Sequence, residues 1–129
     1  MAGLAALKRD PNLYREAIAK FEAALNAKPD YFQALDGLGG AWLDLWQIEK
    51  HRDQLEKARV ALERHEPRDP LHPYNRARLE AVLNDEEGCR VRLLRAQDAK
   101  TLPKPEKLKS EPCFAGLREK PWFMELVGE

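Results

Sequence analysis

Apolar positions recur along this chain at steps of three and four, the spacing of one face of an α-helix. Tyr14, Ala17, Ile18, Phe21, Ala24 and Leu25 form a first stripe, stopped by Pro29-Asp30. Phe32, Leu35, Leu38, Gly39, Trp42 and Leu45 form a second. Leu55, Ala58, Ala61 and Leu62 form a third, ending near Pro67-Arg68-Asp69-Pro70. A fourth holds Tyr74, Ala77, Ala81 and Val82 and breaks at Asn84-Asp85. The fifth holds Cys89, Leu93, Leu94, Ala96 and Ala99 and is stopped by Pro103 and Pro105. No run alternates apolar and polar residues between turns as a half-buried strand would, so the pattern predicts an all-α fold. Asp10-Pro11 and Asp69-Pro70 each read as a helix start, an Asp cap followed by Pro in the first helical position.

The stripes also repeat. Residues 17–25 align with residues 54–62 at a shift of 37, bringing Ile18 over Leu55, Ala24 over Ala61 and Leu25 over Leu62. A further shift of 35 carries Ala58 to Leu93 and Ala61 to Ala96, while Leu35, Leu38 and Trp42 fall over Tyr74, Ala77 and Ala81 at a shift of 39. Two helices per period in the mid-thirties describe a stack of helical hairpins.

The unit running from Tyr14, Ala17, Phe21, Ala24 and Pro29 to Leu35, Leu38, Gly39 and Trp42 resembles a tetratricopeptide repeat. The resemblance spans residues 4–102 and implies a right-handed superhelical stack of about two and a half to three antiparallel hairpins. Its small residues, Ala17, Ala24 and Gly39, let helices approach, with Phe21 and Trp42 filling the space beside them. The match departs in places. Of the first repeat little beyond Leu4, Ala5 and Lys8 is present, and about three extra residues lie around Ile48–Asp53. Arg78 stands where Gly or Ala is expected, and Glu86 where a bulky aromatic is common. Residues 103–110 form a Pro- and Lys-rich connector. Residues 111–126 then carry an acid-Pro-x-Phe-x-x-Leu-Arg-x-x-Pro-x-Phe-x-x-Leu frame, similar to the terminal segment of bacterial repeat arrays. That likeness implies short helices over residues 111–129 that place Phe114, Leu117, Phe123 and Leu126 on the last repeat, because a solenoid's final unit needs its apolar face covered. A partner-binding hook is the other reading of the segment.

Composition narrows function. The 129 residues carry 22 basic and 22 acidic side chains, a net charge of zero, and no third of the chain departs from neutrality by more than two. Nucleic acid and anionic membranes draw on a net positive field, so neither is expected as a partner. With 43% apolar residues the chain is not disordered, and no apolar run approaches a membrane span. The opening seven residues lack the charged-then-apolar order of a secretory signal, and two cysteines make no disulfide framework. The expected setting is reduced and cytoplasmic.

Candidate chemistry is sparse. His51, His65 and His72 lack the i, i+4 spacing of a metal-binding helix, and His65 and His72 sit beside prolines at helix ends, where imidazoles are usually solvated. Gly37-Leu38-Gly39-Gly40 lacks the Lys-Ser/Thr of a phosphate loop and lies within a helix. Cys89 falls at a small buried position, and Cys113 reads as exposed, without a neighbouring His. No catalytic residue, cofactor or metal is expected. Trp46 reads either as packing near the hairpin tip or as an interface anchor.

The resemblance implies a partner peptide or helix in a concave groove lined by the first helix of each repeat. Projected residue by residue, the groove holds Ala2, Ala6 and Arg9, then Gln33, Asp36, Gly37, Gly40, Leu43 and Asp44. From the next repeat it holds His72, Asn75, Arg76, Leu79, Val82 and Leu83. The carboxylate clamp that holds chaperone tails has its counterparts at Ala2, Ala6, Gly37, His72 and Arg76, where Arg76 alone fits, so a chaperone-tail adaptor is disfavoured. Asp36 and Asp44 facing Arg76 suggest an apolar ligand with a basic residue. The expected function is a non-catalytic adaptor or scaffold. The alternatives are self-association through the incomplete first repeat and chaperoning of a partly folded client.

Overall fold

The computed structural model describes residues 10–128. Helices and 3-10 turns make up its regular structure, and among these residues there is no strand. The helices are α1 (Pro11–Ala27), α2 (Phe32–Glu49), α3 (Arg52–His65), α4 (Tyr74–Val82), α5 (Glu86–Asp98), α6 (Pro105–Ser110) and α7 (Pro121–Leu126). Short 3-10 turns cover Glu66–Arg68 and Pro112–Leu117. The chain divides into two compact units, the first ending at Asp69 and the second beginning at Pro70. The expectations for Ala2, Leu4, Ala5, Ala6, Lys8 and Arg9 lie outside the described residues.

The first unit is α1, α2 and α3. Asp10 caps α1 as its sequence implies, its Oδ1 accepting the Asn12 N–H at 2.9 Å with Pro11 in the first turn. Arg15 near the start of α1 donates to both carboxylate oxygens of Glu49 at the end of α2, at 2.7 and 2.5 Å, so the two helices run antiparallel. At the other end of α2, the Arg64 guanidinium of α3 donates to the Pro29 carbonyl at 3.3 Å, which makes α2 and α3 antiparallel as well. Helix α2 is buried on both sides. Leu38, Ala41, Trp42 and Leu45 pack with Tyr14, Ala17, Ile18 and Phe21 of α1, and Gly39 faces α3, where an added Cβ would fall inside the Leu62 side chain. The extra residues near Ile48 do not form a loop: α2 runs on to Glu49, and Lys50 in the left-handed region (φ 59°) turns the chain directly into α3.

Asp69-Pro70 does not start a helix. The Asp69 carboxylate is held 3.0 Å from His65 Nε2 and its N–H donates to the His65 carbonyl at 3.1 Å, so it closes the end of α3. The next helix begins four residues later, after Pro73.

In the second unit, α4 and α5 are joined by Asn84 and Asp85 together with the C-cap Leu83. Asn84 takes the left-handed conformation (φ 63°), which Asn tolerates better than most residues. Its N–H donates to Ala81 O at 3.2 Å and the Asp85 N–H to Glu80 O at 2.8 Å, the paired bonds of a Schellman stop. Asp85 then caps α5, accepting the Gly88 N–H at 2.9 Å. Helix α5 ends the same way at Lys100 (φ 61°), with Thr101 N–H on Ala96 O at 2.9 Å, before either proline is reached. Thr101 Oγ1 donates to Leu71 O at 2.6 Å, tying the end of α5 to the approach of α4, so this pair is antiparallel too. The 103–110 connector is partly helical, since α6 occupies Pro105–Ser110 and buries Leu108. Proline is well suited to that first position, where no N–H partner is needed.

Candidate partner-binding surface

Along α2, Gln33, Asp36, Gly40, Leu43 and Asp44 share one face by helical spacing. Gln33 is exposed, Asp36 and Asp44 are half-buried, Gly40 is buried and Leu43 is fully buried. Gly37, placed on the same face, is a packing residue instead: a Cβ there would fall inside the Phe21 ring. In the second unit Leu79 is fully buried, and Asn75 and Arg76 are half-buried. Arg76 Nε donates to Glu80 Oε1 at 2.5 Å, one helical turn on, and Asn75 Oδ1 accepts from Arg78 Nη1 at 2.9 Å. The basic group that the sequence offered to a ligand is therefore already engaged by its own helix. Gly40, Leu43 and Leu79 are buried, so the polar members of the α2 face that keep exposed surface are Gln33, Asp36 and Asp44.

His65 is not solvated. It is 1% exposed, with Nε2 3.0 Å from Asp69 and Nδ1 3.9 Å from Asp36, because the last turn of α3 packs beside the first turns of α2. Its position against a carboxylate on another helix could not be read from spacing alone. Cys113 is also buried, since the turn at Pro112–Leu117 folds it into the same cluster as Phe114. Burial, and secondarily the neighbouring Cys113, push the Cys89 thiol up to about 12, so it carries negligible thiolate near neutral pH. Among the described residues no group of three His, Cys, Asp or Glu side chains is placed to hold a metal ion.

Both tryptophans of α2 are half-buried and covered by a lysine. Lys57 Nζ stands 4.7 Å from the Trp42 ring centre and Lys50 Nζ 4.0 Å from that of Trp46. A cation over the ring face adds attraction beyond area burial.

Two of the departures from the repeat pattern, Arg78 and Glu86, meet the C-terminal segment. Arg78 is 5% exposed, and its Nε lies 2.9 Å from Oε1 of the buried Glu111. Glu111 Oε2 also accepts the Cys113 N–H at 3.1 Å, capping the turn at Pro112. Glu86 accepts the Trp122 indole N–H at 2.9 Å and pairs with Lys120 at 3.4 Å. The Trp122 hydrogen bond, chiefly, holds the Glu86 carboxyl below its ordinary range. A hollow of about 340 Å³ opens beside this pair, walled by Ala81, Asn84, Cys113 and Leu117.

No helix of the described residues is long and apolar enough to cross a membrane. Compared with protein-family models, curated proteins and solved structures, the chain gives no significant match to any of the three.

Proposed function

We propose that the chain is a non-catalytic protein-interaction module of the tetratricopeptide-repeat kind, an adaptor or scaffold that takes a peptide or helix of a partner protein. The observation that carries this reading is how α2 packs in the first unit. Gly37 lies under the Phe21 ring of α1 and Gly39 under Leu62 of α3, so one helix meets an antiparallel neighbour on each side through small residues. The Gly39 contact is the one the repeat resemblance implies, whereas the Gly37 contact takes up a position that it assigns to the groove. The superhelical stack, the cytoplasmic setting and the absence of catalysis belong to the same proposal; two buried free cysteines suit a reducing compartment.

The partly exposed face of α2 is acidic through Asp36 and Asp44, and it suits a ligand with a basic residue among apolar anchors. A displayed library of random twelve-residue peptides, selected on the protein, should yield sequences with Lys or Arg beside large apolar residues. Asp44→Lys should weaken the selected peptides by roughly tenfold, since a buried-edge charge contact contributes about 1–2 kcal/mol. Asp36→Lys is the less clean variant, because it also places a cation beside His65. Unchanged affinity in both variants would remove this face from the reading.

A further inference from the structure

The second unit is built like a receptor and its ligand on one chain. In its core cluster, Ala77, Cys89 and Leu93 come from the α4–α5 hairpin. Leu108, Cys113, Phe114, Leu117, Phe123 and Val127 come from the segment that follows. The hairpin contributes two small residues and Leu93, with Tyr74, Ala81 and Val82 at the edge, and the segment contributes both phenylalanines that fill the space beside Ala77 and Cys89. Phe114 meets Tyr74 edge-on at 6.0 Å and Phe123 at 5.7 Å, and Lys107 lies over the Tyr74 ring.

Polar contacts fix how the segment lies. Arg78 of α4 meets Glu111 in a buried pair, and Glu111 itself caps the turn that presents Phe114. Glu86 of α5 receives the indole N–H of Trp122 and the ammonium of Lys120. A buried charge left without its partner is strongly unfavourable, so Arg78 selects for an acid at the position before Pro112. The hairpin closes independently of the segment, by the stop at Asn84, the Asp85 cap and the Thr101–Leu71 bond. The covalent link between the two parts is short and extended at Lys104 (φ −62°, ψ 153°), between Pro103 and Pro105. It supplies local concentration, and Leu102 at its start packs against the edge of the cluster without entering the buried core.

We infer that the α4–α5 face is a docking site for acid-Pro-x-Phe-x-x-Leu segments, filled in cis by residues 104–128 and open to the same segment of a second copy. Exchange of an identical element between protomers keeps every contact and changes only which chain supplies it. In the exchanged dimer, Arg78 of each subunit pairs with Glu111 of the other. This surface is built from residues of the second unit and the α2 face from residues of the first, so the two readings are tested independently.

Charge reversal tests the exchange. Arg78→Glu alone and Glu111→Arg alone each place like charges together in the buried site, whether closed in cis or exchanged with an identical copy. Mixed in equal amounts, the two full-length variants can restore both pairs by exchanging segments. Light scattering on the mixture should show a particle of twice the monomer mass that neither variant forms alone. A mixture that stays at the mass of its components overturns the exchange.

A second experiment does not depend on the reversed variants folding. A protease site placed between Pro103 and Lys104 of the otherwise native chain allows the folded protein to be nicked. The released segment should remain bound, and a fluorescent synthetic peptide of residues 104–129 should replace it saturably. The Glu111→Gln peptide should bind at least about tenfold more weakly, as expected when a buried charge loses its partner. Failure of the native peptide to bind, or equal binding by the two peptides, overturns the docking site.

Discussion

The two units answer the same problem, covering an apolar helix face, by different means. In the first, α2 is covered on both sides by regular helices, and close approach is achieved by removing side chains at Gly37 and Gly39. In the second, the α4–α5 hairpin is covered by two short helices and a 3-10 turn, and the fit is achieved by adding material: two phenylalanines, two leucines and a buried ion pair. The first solution depends on backbone proximity, so an added carbon must displace a packed side chain. The second depends on side chains reaching across, so it tolerates no missing one.

That contrast is broken most severely at Phe114. The ring is fully buried between Tyr74 and Phe123, and Phe114→Ala should cost about 4 kcal/mol through lost burial and the cavity left behind. Hydrogen exchange should show α4, α5 and the C-terminal segment losing protection while α1–α3 keep theirs. Equal loss in both units would mean that they do not unfold as separate bodies.

Glu111→Ala should come next, at about 3 kcal/mol, because it leaves the Arg78 guanidinium buried without its carboxylate and also removes the cap on the Pro112 turn. The double change Arg78→Met with Glu111→Leu should recover most of this loss in urea unfolding, since a buried pair can be replaced by apolar residues at little net cost. If the double variant is as unstable as the single, the pair acts mainly through the cap.

How much of this was legible follows from which forces set each part. The stripes of α1, α2 and α3 could be read because periodic burial writes itself into the sequence at every third or fourth residue. The frame of Phe114, Leu117 and Phe123 was likewise visible as spacing, and those three are buried in the cluster. Arg78 and Glu86 were visible only as misfits, because their partners Glu111 and Trp122 are 33 and 36 residues away and no local rule links them. His65 was misplaced for the same reason. Its carboxylate neighbour Asp36 comes from another helix, and helix-end position alone says nothing of what lies across the turn. The α2 face was legible in its register but not in its exposure, since Leu43 is buried on the side where a ligand was expected.

A smaller effect separates the two glycines of α2. Alanine gains about 1 kcal/mol over glycine in a helix interior, while overpacking costs about 1–3 kcal/mol. At Gly39 the added methyl meets Leu62, which is fully buried and has nowhere to move, so Gly39→Ala should be a net loss of about 1–2 kcal/mol. At Gly37 it meets Phe21, which is half-buried and can swing outward, so Gly37→Ala should be near neutral. Thermal melts of the pair decide it, and equal shifts would mean that α2 itself moves to relieve both contacts.

The smallest effect concerns acid. The Glu86 carboxyl is held below its ordinary 4.5 chiefly by the Trp122 N–H, so its folded state binds a proton less readily than the unfolded chain does. A depressed carboxylate contributes stability that is complete above the unfolded value and is lost as pH falls through the folded one. Trp122→Phe removes the indole donor, so the stability gap between the two proteins should be widest near pH 6 and should narrow below about pH 4. The change of ring size adds a pH-independent part to that gap, so the narrowing carries the test, read as the difference in Tm across the pH series. It should be modest because the Glu86 side chain is 44% exposed and solvent screens the contact. A gap constant from pH 6 to pH 3 would show that Trp122 holds the segment by its ring alone. The second unit would then owe its polar specificity to Arg78 and Glu111, buried deeply enough for charge to matter.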